Sequence, residues 1–321
     1  MGRVFVAGGT GFVGRQFVAT ALEAGLDLCV LTRQPEARTR LEALGVTVVE
    51  GDLQQPGRWQ EEARQADMAV YIAGPPAWGR RLSTKVAREY ERGMTEMTRG
   101  FFESLDPGKL RKVVYVAGAS LYGDTGETPA TEDQTAVPKG TGPYIEPAVL
   151  LAESYGERGY PVVMTLPGAV YGPGSWLEQL ILWPLHRKKP VYSVRGYDPA
   201  ISLIHREDAA RALVHLLEHG EPNQRYFIAD DEPATLGRIL EAASRVTGIP
   251  YKERPLPEWI CKLAIGPILV DAAKGNAVVS NAKLKATGFE LTYPSLDEGL
   301  RPVIKEWRAL KRAERDRRKG R

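Results

Sequence analysis

The sequence predicts an α/β protein with a doubly wound parallel sheet and a smaller C-terminal lobe. A β-branched run at Arg3–Ala7 leads into a glycine-rich turn at Gly8–Gly14 and then into an amphipathic helix pattern at Gln16–Ala24. Strand-like and helix-like segments continue to alternate through the first half of the chain, which is typical of parallel βαβ units with right-handed crossovers. Beyond Leu166 this alternation gives way to a stretch rich in proline and aromatic residues.

The other elements of the first half follow in chain order. Short apolar, β-branched runs predict strands, and a longer helical pattern separates the fourth strand from the fifth. Because helical segments connect these strands, they are expected to lie parallel in one sheet. The remaining predicted strands are Leu28–Leu31, Val46–Glu50, Met68–Ala73, Lys112–Ala117 and Val162–Leu166, and the long helix is Lys85–Leu105.

The change in composition after Leu166 predicts that the chain has two parts. Residues 1–166 form the first domain, and residues 167–321 form mainly a substrate-binding lobe, from which some segments return to the core of the first domain. The basic run Lys311–Arg321 is interpreted as a solvated helix end. Helical patterns in the second part cover Asp208–Glu218, Thr235–Thr247 and Leu296–Ala309.

Composition and charge argue against several classes of protein. The 321 residues include 43 basic and 40 acidic side chains, and a net charge of +3 gives no argument for nucleic acid as a partner. The longest apolar stretch, near Trp259–Val270, is too short to span a bilayer. Two cysteines make no disulfide framework, and His215 and His219 lack a third ligand motif for a metal. With no signal peptide visible, we expect a cytoplasmic protein without membrane partner or bound metal.

The glycine-rich turn predicts a dinucleotide site. Gly8, Gly11 and Gly14 stand between a strand and a helix at the spacing that allows a tight turn, close approach to a pyrophosphate, and close helix–strand packing. The phosphates are then expected to face backbone N–H groups at the helix N-terminus. This pattern is typical of a Rossmann-type fold. The other residues of the turn expected to contact the cofactor are Thr10, Phe12 and Val13.

The ends of the next strands suggest which dinucleotide binds. An NAD site usually carries Asp or Glu at the end of the second strand, whereas this chain has Arg33, which would pair with the 2′-phosphate of NADP(H). NADP(H) is therefore favoured over NAD(H), the alternative for Arg33 being a solvent-facing side chain. Asp52 and Leu53 follow the third strand, where a carboxylate can accept from the adenine amino group. Ala73-Gly74-Pro75 ends the fourth strand with small residues that let the backbone approach the cofactor.

Taken together, the motifs resemble the extended short-chain dehydrogenase/reductases, the NAD-dependent epimerase/dehydratase group. The resemblance covers nearly the whole chain and implies an NAD(P)-binding enzyme acting on a small molecule, with Ala117, Pro167 and Val170 also at the cofactor. It further implies a possible homodimer, built by the long helix and the helix after Pro147. The segments that carry the resemblance are Gly8–Gly14, Gly51–Leu53, Tyr71–Gly74, Val114–Gly123, Leu166–Pro173, His205–Ala212, Asn281–Lys285 and Leu296–Leu300.

The resemblance also implies a catalytic set of Asn, Ser or Thr, Tyr and Lys, and the sequence departs from it. The Asn, Ser/Thr and Lys positions fall on Tyr90, Gly118 and Ala148. The hydroxyl groups that remain nearby belong to Ser120 and Tyr144, which we predict to be catalytic. A phenol without a lysine beside it has a pKa of about 10. It donates a proton better than it accepts one, so a reductase direction is less impaired than an oxidation.

Pro147 bears on the role of Tyr144. Because proline disfavours helical geometry at the preceding residue, we expect the helix to begin near Pro147 and Tyr144 to lie before it. Tyr144 is then either a proton donor or a wall residue that bonds to the cofactor ribose. A register shifted by one residue, anchored on Glu153, places Ile145 and Val149 at the Tyr and Lys positions.

Three functions remain open from the sequence. The first is an NADP(H)-dependent oxidoreductase or epimerase with a non-standard acid/base site, acting on a small carbonyl, sugar or secondary-metabolite substrate. The second is a non-catalytic NAD(P)H-binding sensor or assembly protein, suggested by Gly118 and Ala148. The third is a non-redox lyase or isomerase on the same fold, since a fold does not determine a reaction.

Overall fold

The computed structural model describes residues 2–75 and 81–319. Its centre is a sheet of seven parallel strands in the order β10-β6-β5-β4-β1-β2-β3, and two parallel pairs, β7–β9 and β8–β11, lie outside it. The strands are β1 (Arg3–Ala7), β2 (Asp27–Thr32), β3 (Thr47–Glu50), β4 (Met68–Tyr71), β5 (Lys112–Val116), β6 (Val162–Pro167), β7 (Ala169–Tyr171), β8 (Val191–Val194), β9 (Leu203–His205), β10 (Gln224–Ile228) and β11 (Glu253–Leu256).

Helices cover both faces of the central sheet, which confirms the predicted doubly wound α/β class. Val4 and Val6 of β1 face one apolar layer with Phe17, whereas Phe5 faces the other with Phe101. A strand that is buried on both faces is expected to be apolar throughout. In β1 every residue except Arg3 is apolar. The helices are α1 (Phe12–Glu23), α2 (Pro35–Glu42), α3 (Trp59–Ala63), α4 (Thr84–Glu103), α5 (Gly142–Glu157), α6 (Trp183–His186), α7 (Arg206–His219), α8 (Leu236–Thr247), α9 (Glu258–Ala264), α10 (Pro267–Ala272), α11 (Ala282–Ala286) and α12 (Leu296–Lys319).

Residues 167–321 contribute both to the central sheet and to a separate apolar cluster. β10 joins the central sheet beside β6, while a separate apolar cluster contains side chains of α8 and α12, such as Leu240 and Trp307. A 3-10 turn at Ala119–Tyr122 follows β5, and a π-helical segment at Glu178–Leu182 precedes α6. The division into lobes at residues 166 and 167 stays a prediction.

The expected start of α5 near Pro147 is wrong. The helix begins at Gly142, with Pro143 in its first turn, and it continues through Pro147 to Glu157. Proline suits a first helical turn because the N–H that it lacks has no partner there. At Pro147 the cost is one backbone hydrogen bond, which the packing of Ala148 and Ala152 into the core offsets. Tyr144 therefore lies in the first turn of the helix, not before it.

A buried carboxyl group follows β10. Asp230 is 4% exposed, and both of its carboxyl oxygens lack a hydrogen-bond partner among the residues that the structure describes. Its backbone N–H donates to the Leu203 carbonyl at 2.8 Å, which fixes it beside β9. Burial, with a smaller contribution from Asp231, raises the pKa of Asp230 to about 8. The folded protein therefore holds a proton on Asp230 at neutral pH, whereas the unfolded chain does not.

Replacing Asp230 by Asn should stabilise the fold at neutral pH. The folded state binds a proton that the unfolded state releases, so the wild type loses stability as the pH rises from about 4 to about 8. One pKa unit corresponds to about 1.4 kcal/mol, so this loss can reach about 5 kcal/mol. Urea unfolding at several pH values would measure it. D27N is the control, because Asp27 is an exposed carboxylate at the start of β2 and is not among the groups that shift the pKa of Asp230. A D230N variant less stable than wild type near pH 8 would contradict the protonated state.

Candidate cofactor and active site

The turn after β1 is built from close contacts that only glycine permits. Gly8 has φ +93°, and a Cβ there would lie 2.6 Å from the backbone nitrogen of Ala73. A Cβ on Gly14 would collide with the carbonyl oxygen of Gly8. The N–H of Gly11 donates to the same carbonyl at 3.0 Å, which closes the turn. The turn is therefore fixed against both the end of β4 and the first turn of α1.

The N-terminus of α1 is suited to an anion. Its N-cap is Gly11, which is exposed and provides no side-chain cap, in contrast to Ser83 on α4 and Thr235 on α8. The first N–H groups of a helix carry partial positive charge, and here no side chain competes for them. A Cβ added to Gly11 would have the Gly8 carbonyl oxygen as its nearest neighbour, at 3.3 Å. Space therefore remains above the turn. These residues fit the pyrophosphate of a dinucleotide.

The sheet topology places this turn at a switch point. β1 pairs with β2 on one side and with β4 on the other. The chain runs outward from β1 through β2 to β3 and then crosses back to β4, so the order of strands reverses at β1. Ligands of doubly wound sheets bind in the crevice at this point, beyond the carboxyl ends of the strands. Residues 73–75, which follow β4, lie at this edge beside Gly8. Ala117 follows β5, and Pro167 ends β6 at the same edge.

Arg33 and Asp52 lie together at the ends of β2 and β3. The Arg33 guanidinium is 3.4 Å from Asp52 Oδ2, and the arginine side chain is 54% exposed. The other oxygen of Asp52 accepts from the backbone N–H of Gln54 at 3.0 Å, which holds the carboxylate in place. An exposed ion pair of this kind contributes little to stability, so the arginine is available to a phosphate. Leu53, by contrast, buries its side chain in the core.

The Ser/Thr and Lys positions of the family pattern carry small residues, Gly118 and Ala148, in this chain. A Cβ on Gly118 would lie 3.6 Å from Ser120 Oγ and 3.9 Å from Ile145 Cδ1. The Ser120 hydroxyl therefore lies beside the place where a side chain of residue 118 would begin. From α5, the contact at this place is made by Ile145.

Tyr144 and Ala148 differ in their surroundings. Tyr144 is half-buried, and its N–H donates to the Thr141 carbonyl at 3.1 Å in the first turn of α5. Ala148 is 1% exposed and packs in the apolar layer between α5 and the sheet. A lysine at this position would have to be buried there. Tyr144 therefore lacks the lysine ammonium group that the family pattern places one helical turn away, where this chain has Ala148.

An ion pair fixes α5 relative to the turn that carries Ser120. Arg225 of β10 donates to Glu153 of α5 at 2.7 Å and to the Tyr122 hydroxyl at 3.2 Å. Tyr122 ends the 3-10 turn, and its hydroxyl donates to the Glu132 carbonyl at 3.0 Å. Because one guanidinium holds both elements, the positions of Ser120 and Tyr144 depend on each other.

Two residues near the site were not found from the sequence. The hydroxyl of Tyr90 lies 3.7 Å from a Cβ position on Gly74, and burial raises the pKa of this phenol. The Arg206 guanidinium lies 5.5 Å from the centre of the Phe12 ring and pairs with Glu306 at 3.3 Å. The sequence indicates Tyr90 only as a departure from the Asn position of the family pattern. Nothing in the spacing linked Arg206 to the glycine-rich turn, because the contact joins residues nearly 200 positions apart.

The histidines do not form a metal centre in the part of the chain that the structure describes. His205 is 6% exposed and caps α7, its Nδ1 accepting from the Glu207 N–H at 3.3 Å. Burial lowers the pKa of His205 to about 4, so it stays neutral. His215 and His219 stack on one helix, with ring centres 4.1 Å apart, and His215 bonds to Thr287. Among the described helices, none is both long and apolar enough to cross a membrane.

The parallel sheet and its glycine-rich turn at the switch point define a Rossmann-type nucleotide-binding protein. The model of the NAD-dependent epimerase/dehydratase family matches residues 4–229. The chain therefore belongs to this family of NAD(P)-binding enzymes, as the sequence motifs predicted.

Similar proteins include reductases and epimerases. A ketoreductase of a farnesylated dihydroquinoline oxide from Stigmatella aurantiaca is 22% identical over 92% of this chain and 84% of its own length. UDP-glucuronic acid 4-epimerase from Bacillus cereus, solved with NAD, has a TM-score of 0.82 at 17% identity and covers 96% of this chain and 99% of its own. The human epimerase family protein SDR39U1, solved with NADPH, has a TM-score of 0.76 at 21% identity, covering 94% and 99%.

A Gly14→Ala substitution should disturb the turn itself. The added methyl group collides with the Gly8 carbonyl, so the backbone must shift. We expect the free energy of unfolding to fall by about 1–3 kcal/mol and NADPH binding to weaken by at least about tenfold. Chemical unfolding and a fluorescence titration measure the two effects. G118A is the control for stability, because the space beside Gly118 allows ordinary contacts. Wild-type stability and affinity in G14A would show that this contact does not constrain the site.

Proposed function

We propose that the protein is an NADP(H)-dependent oxidoreductase that works in the reductive direction on a small carbonyl compound, a sugar or a secondary metabolite. The observation that carries the proposal is the pair of substitutions at the acid/base site. A hydroxyl, Ser120, lies beside residue 118, while the position of the lysine is the buried Ala148. Such a site can donate a proton to a developing alkoxide but is poorly equipped to remove one from an alcohol.

The residues that would hold the cofactor follow the edge of the sheet. The N–H groups at Gly11–Gly14 would bind the pyrophosphate, and the backbone at Ala73-Gly74 would pass close to it. Arg33 would bind the 2′-phosphate of the adenosine ribose, and Asp52 orients the arginine at 3.4 Å. When bound, NADPH supplies the hydride that reduces a carbonyl carbon.

Ser120 and Tyr144 would act on the carbonyl oxygen. The Ser120 hydroxyl lies beside the empty side-chain position of Gly118 and can donate a hydrogen bond to the oxygen as negative charge develops there. Tyr144 lies half-buried in the first turn of α5 and would supply the proton or, alternatively, bond to the cofactor ribose. The ketoreductase named among the relatives supports a reductive reaction, and an internal-redox epimerisation remains the nearest alternative within the family.

We also propose a cytoplasmic location and a homodimer that forms through α4 and α5. The outer face of α4 is charged, so a dimer there would be held by ion pairs more than by apolar packing. The exposed charged residues of α4 are Lys85, Arg88, Glu89, Arg92, Glu96, Arg99 and Glu103. A non-catalytic NAD(P)H sensor and a non-redox lyase or isomerase are the other candidates.

Arg33→Ala should weaken NADPH binding selectively. Loss of a charged partner of the 2′-phosphate should raise the Kd for NADPH by about ten- to a hundredfold, corresponding to about 1.5–3 kcal/mol, and leave the Kd for NADH nearly unchanged. Fluorescence titrations with both nucleotides measure this. R38A is the matched control, because Arg38 is exposed nearby and is held by Glu42 and Glu50. Equal losses for both nucleotides would contradict the role of Arg33, and no binding of either would remove the reductase and the sensor together.

Ser120→Ala should slow turnover without weakening NADPH binding. Loss of a donor to the developing alkoxide should lower kcat by about a hundredfold, measured as NADPH oxidation with the best substrate from a panel of β-keto esters and cyclic ketones. Tyr144→Phe should have a comparable effect if it donates the proton. S154A is the control, because that hydroxyl on α5 donates to the Leu151 carbonyl. An unchanged rate in Y144F removes the phenol from the mechanism, and unchanged rates in both variants overturn the proposed site.

A further inference from the structure

Tyr90 lies where α4 passes the carboxyl edge of the central sheet. Along α4, Phe101 contacts Tyr71 inside the sheet, with ring centres 5.2 Å apart. Gly93, about two turns earlier, lies against Pro75, which follows the end of β4. The helix therefore runs from the crevice back into the core, and Tyr90 lies nearly one turn closer to the crevice than Gly93.

The side chain of Tyr90 faces the crevice. It lies on the face of α4 that packs inward, three residues after Ala87 and four before Met94, which are 1% and 4% exposed. Tyr90, between them, is only half-buried. Because both neighbours on this face are covered, the accessible part of Tyr90 opens into a gap beneath the helix and not to the outer surface.

The hydroxyl of Tyr90 lies beside the first residues after β4. It is 3.7 Å from the position that a Cβ of Gly74 would occupy, and Met94 Sδ is 3.8 Å from the same position. Among the described residues it makes no hydrogen bond, and burial raises the pKa of the phenol, so it stays neutral. Its oxygen nevertheless keeps accessible surface, in contrast to the buried hydroxyl of Tyr71. A ligand in the gap can therefore reach it.

The order of strands indicates which half of a bound dinucleotide lies here. Arg33 and Asp52 follow β2 and β3, at the adenosine end of the proposed cofactor site. β4 pairs with β1 on the opposite side, and β5 lies beyond it. With the pyrophosphate at the N-terminus of α1, the nicotinamide half would extend over the ends of β4 and β5. Gly74 and the hydroxyl of Tyr90 lie at this half of the site.

We propose that Tyr90 is a cofactor-binding residue whose hydroxyl hydrogen-bonds to a ribose hydroxyl of the nicotinamide half of NADPH. The inference rests on the NADP(H) site proposed above, but not on the direction of the reaction. Gly74 has no side chain, so a sugar can approach the backbone and the phenol together. A phenol can donate or accept, which suits a ribose hydroxyl. Because the ring packs against the apolar core beside α4, the contact would orient the nicotinamide half.

The test is calorimetric titration of the full-length protein with NADPH, NADH and 2′,5′-ADP. Tyr90→Phe removes one hydrogen bond and should raise the Kd of NADPH and of NADH alike, by about three- to tenfold. 2′,5′-ADP lacks the nicotinamide half, so its Kd should not change. The free energy of unfolding should also stay the same, because the hydroxyl has no partner within the described chain. Y192F is the matched control, since Tyr192 is 56% exposed on β8, outside the central sheet.

The outcomes separate this inference from the proposed function. If wild type binds both dinucleotides and Y90F binds them equally well, the role of Tyr90 is wrong and the cofactor site stands. A similar loss for 2′,5′-ADP would also overturn that role, by showing that the substitution disturbs the site as a whole. Slower turnover with unchanged Kd values would place the hydroxyl at the substrate and overturn the contact with the ribose. If wild type binds the dinucleotides but reduces no carbonyl compound, only the proposed reaction fails; if it binds neither, both fail.

Discussion

The contact between the glycine-rich turn and the end of β4 is the constraint on which the site depends. Gly8 lies against the backbone of Ala73, and Gly14 lies against the carbonyl of Gly8, so neither position has room for a Cβ. These contacts hold the first turn of α1 at the end of β1, where the order of strands reverses between β2 and β4. The uncapped N–H groups of α1 therefore point into the crevice formed by the carboxyl ends of the strands.

Long-range contacts connect the second part of the chain to this framework. Arg206 lies over the ring of Phe12 in the glycine-rich turn and pairs with Glu306 of α12. Arg225 of β10 holds Glu153 of α5 and the hydroxyl of Tyr122. The cofactor turn and the turn carrying Ser120 are therefore both braced by residues far from them in sequence. The second part of the chain thus contributes contacts to the nucleotide-binding edge as well as a separate apolar cluster.

The sequence was most informative where backbone geometry determines residue type. The glycine spacing and the buried strands predicted the parallel sheet, since a close approach requires glycine and a strand covered on both faces requires apolar residues. It was least informative at the start of α5. Pro147 suggested a helix boundary, but Pro143 starts the helix and core packing carries it through Pro147. Contacts such as Arg206 with Phe12 leave no local pattern, because the partners come together only in the folded chain.

The register of α5 decides what chemistry the site can perform. Ile145 lies beside Gly118 and Ala148 is buried in the core, so neither register of the family pattern restores a lysine next to a phenol. Gly118 leaves a space beside the strand end, and the hydroxyl of Ser120 lies next to it. The Ser120 hydroxyl is therefore presented by the 3-10 turn after β5 and not by the end of the strand itself, while the Tyr144 hydroxyl comes from the first turn of α5. Arg225 holds this turn and α5 together through Tyr122 and Glu153, so the backbone that carries Ser120 is braced without the usual lysine. A fixed, neutral hydroxyl donor suits an oxygen that gains negative charge, which is the demand of carbonyl reduction.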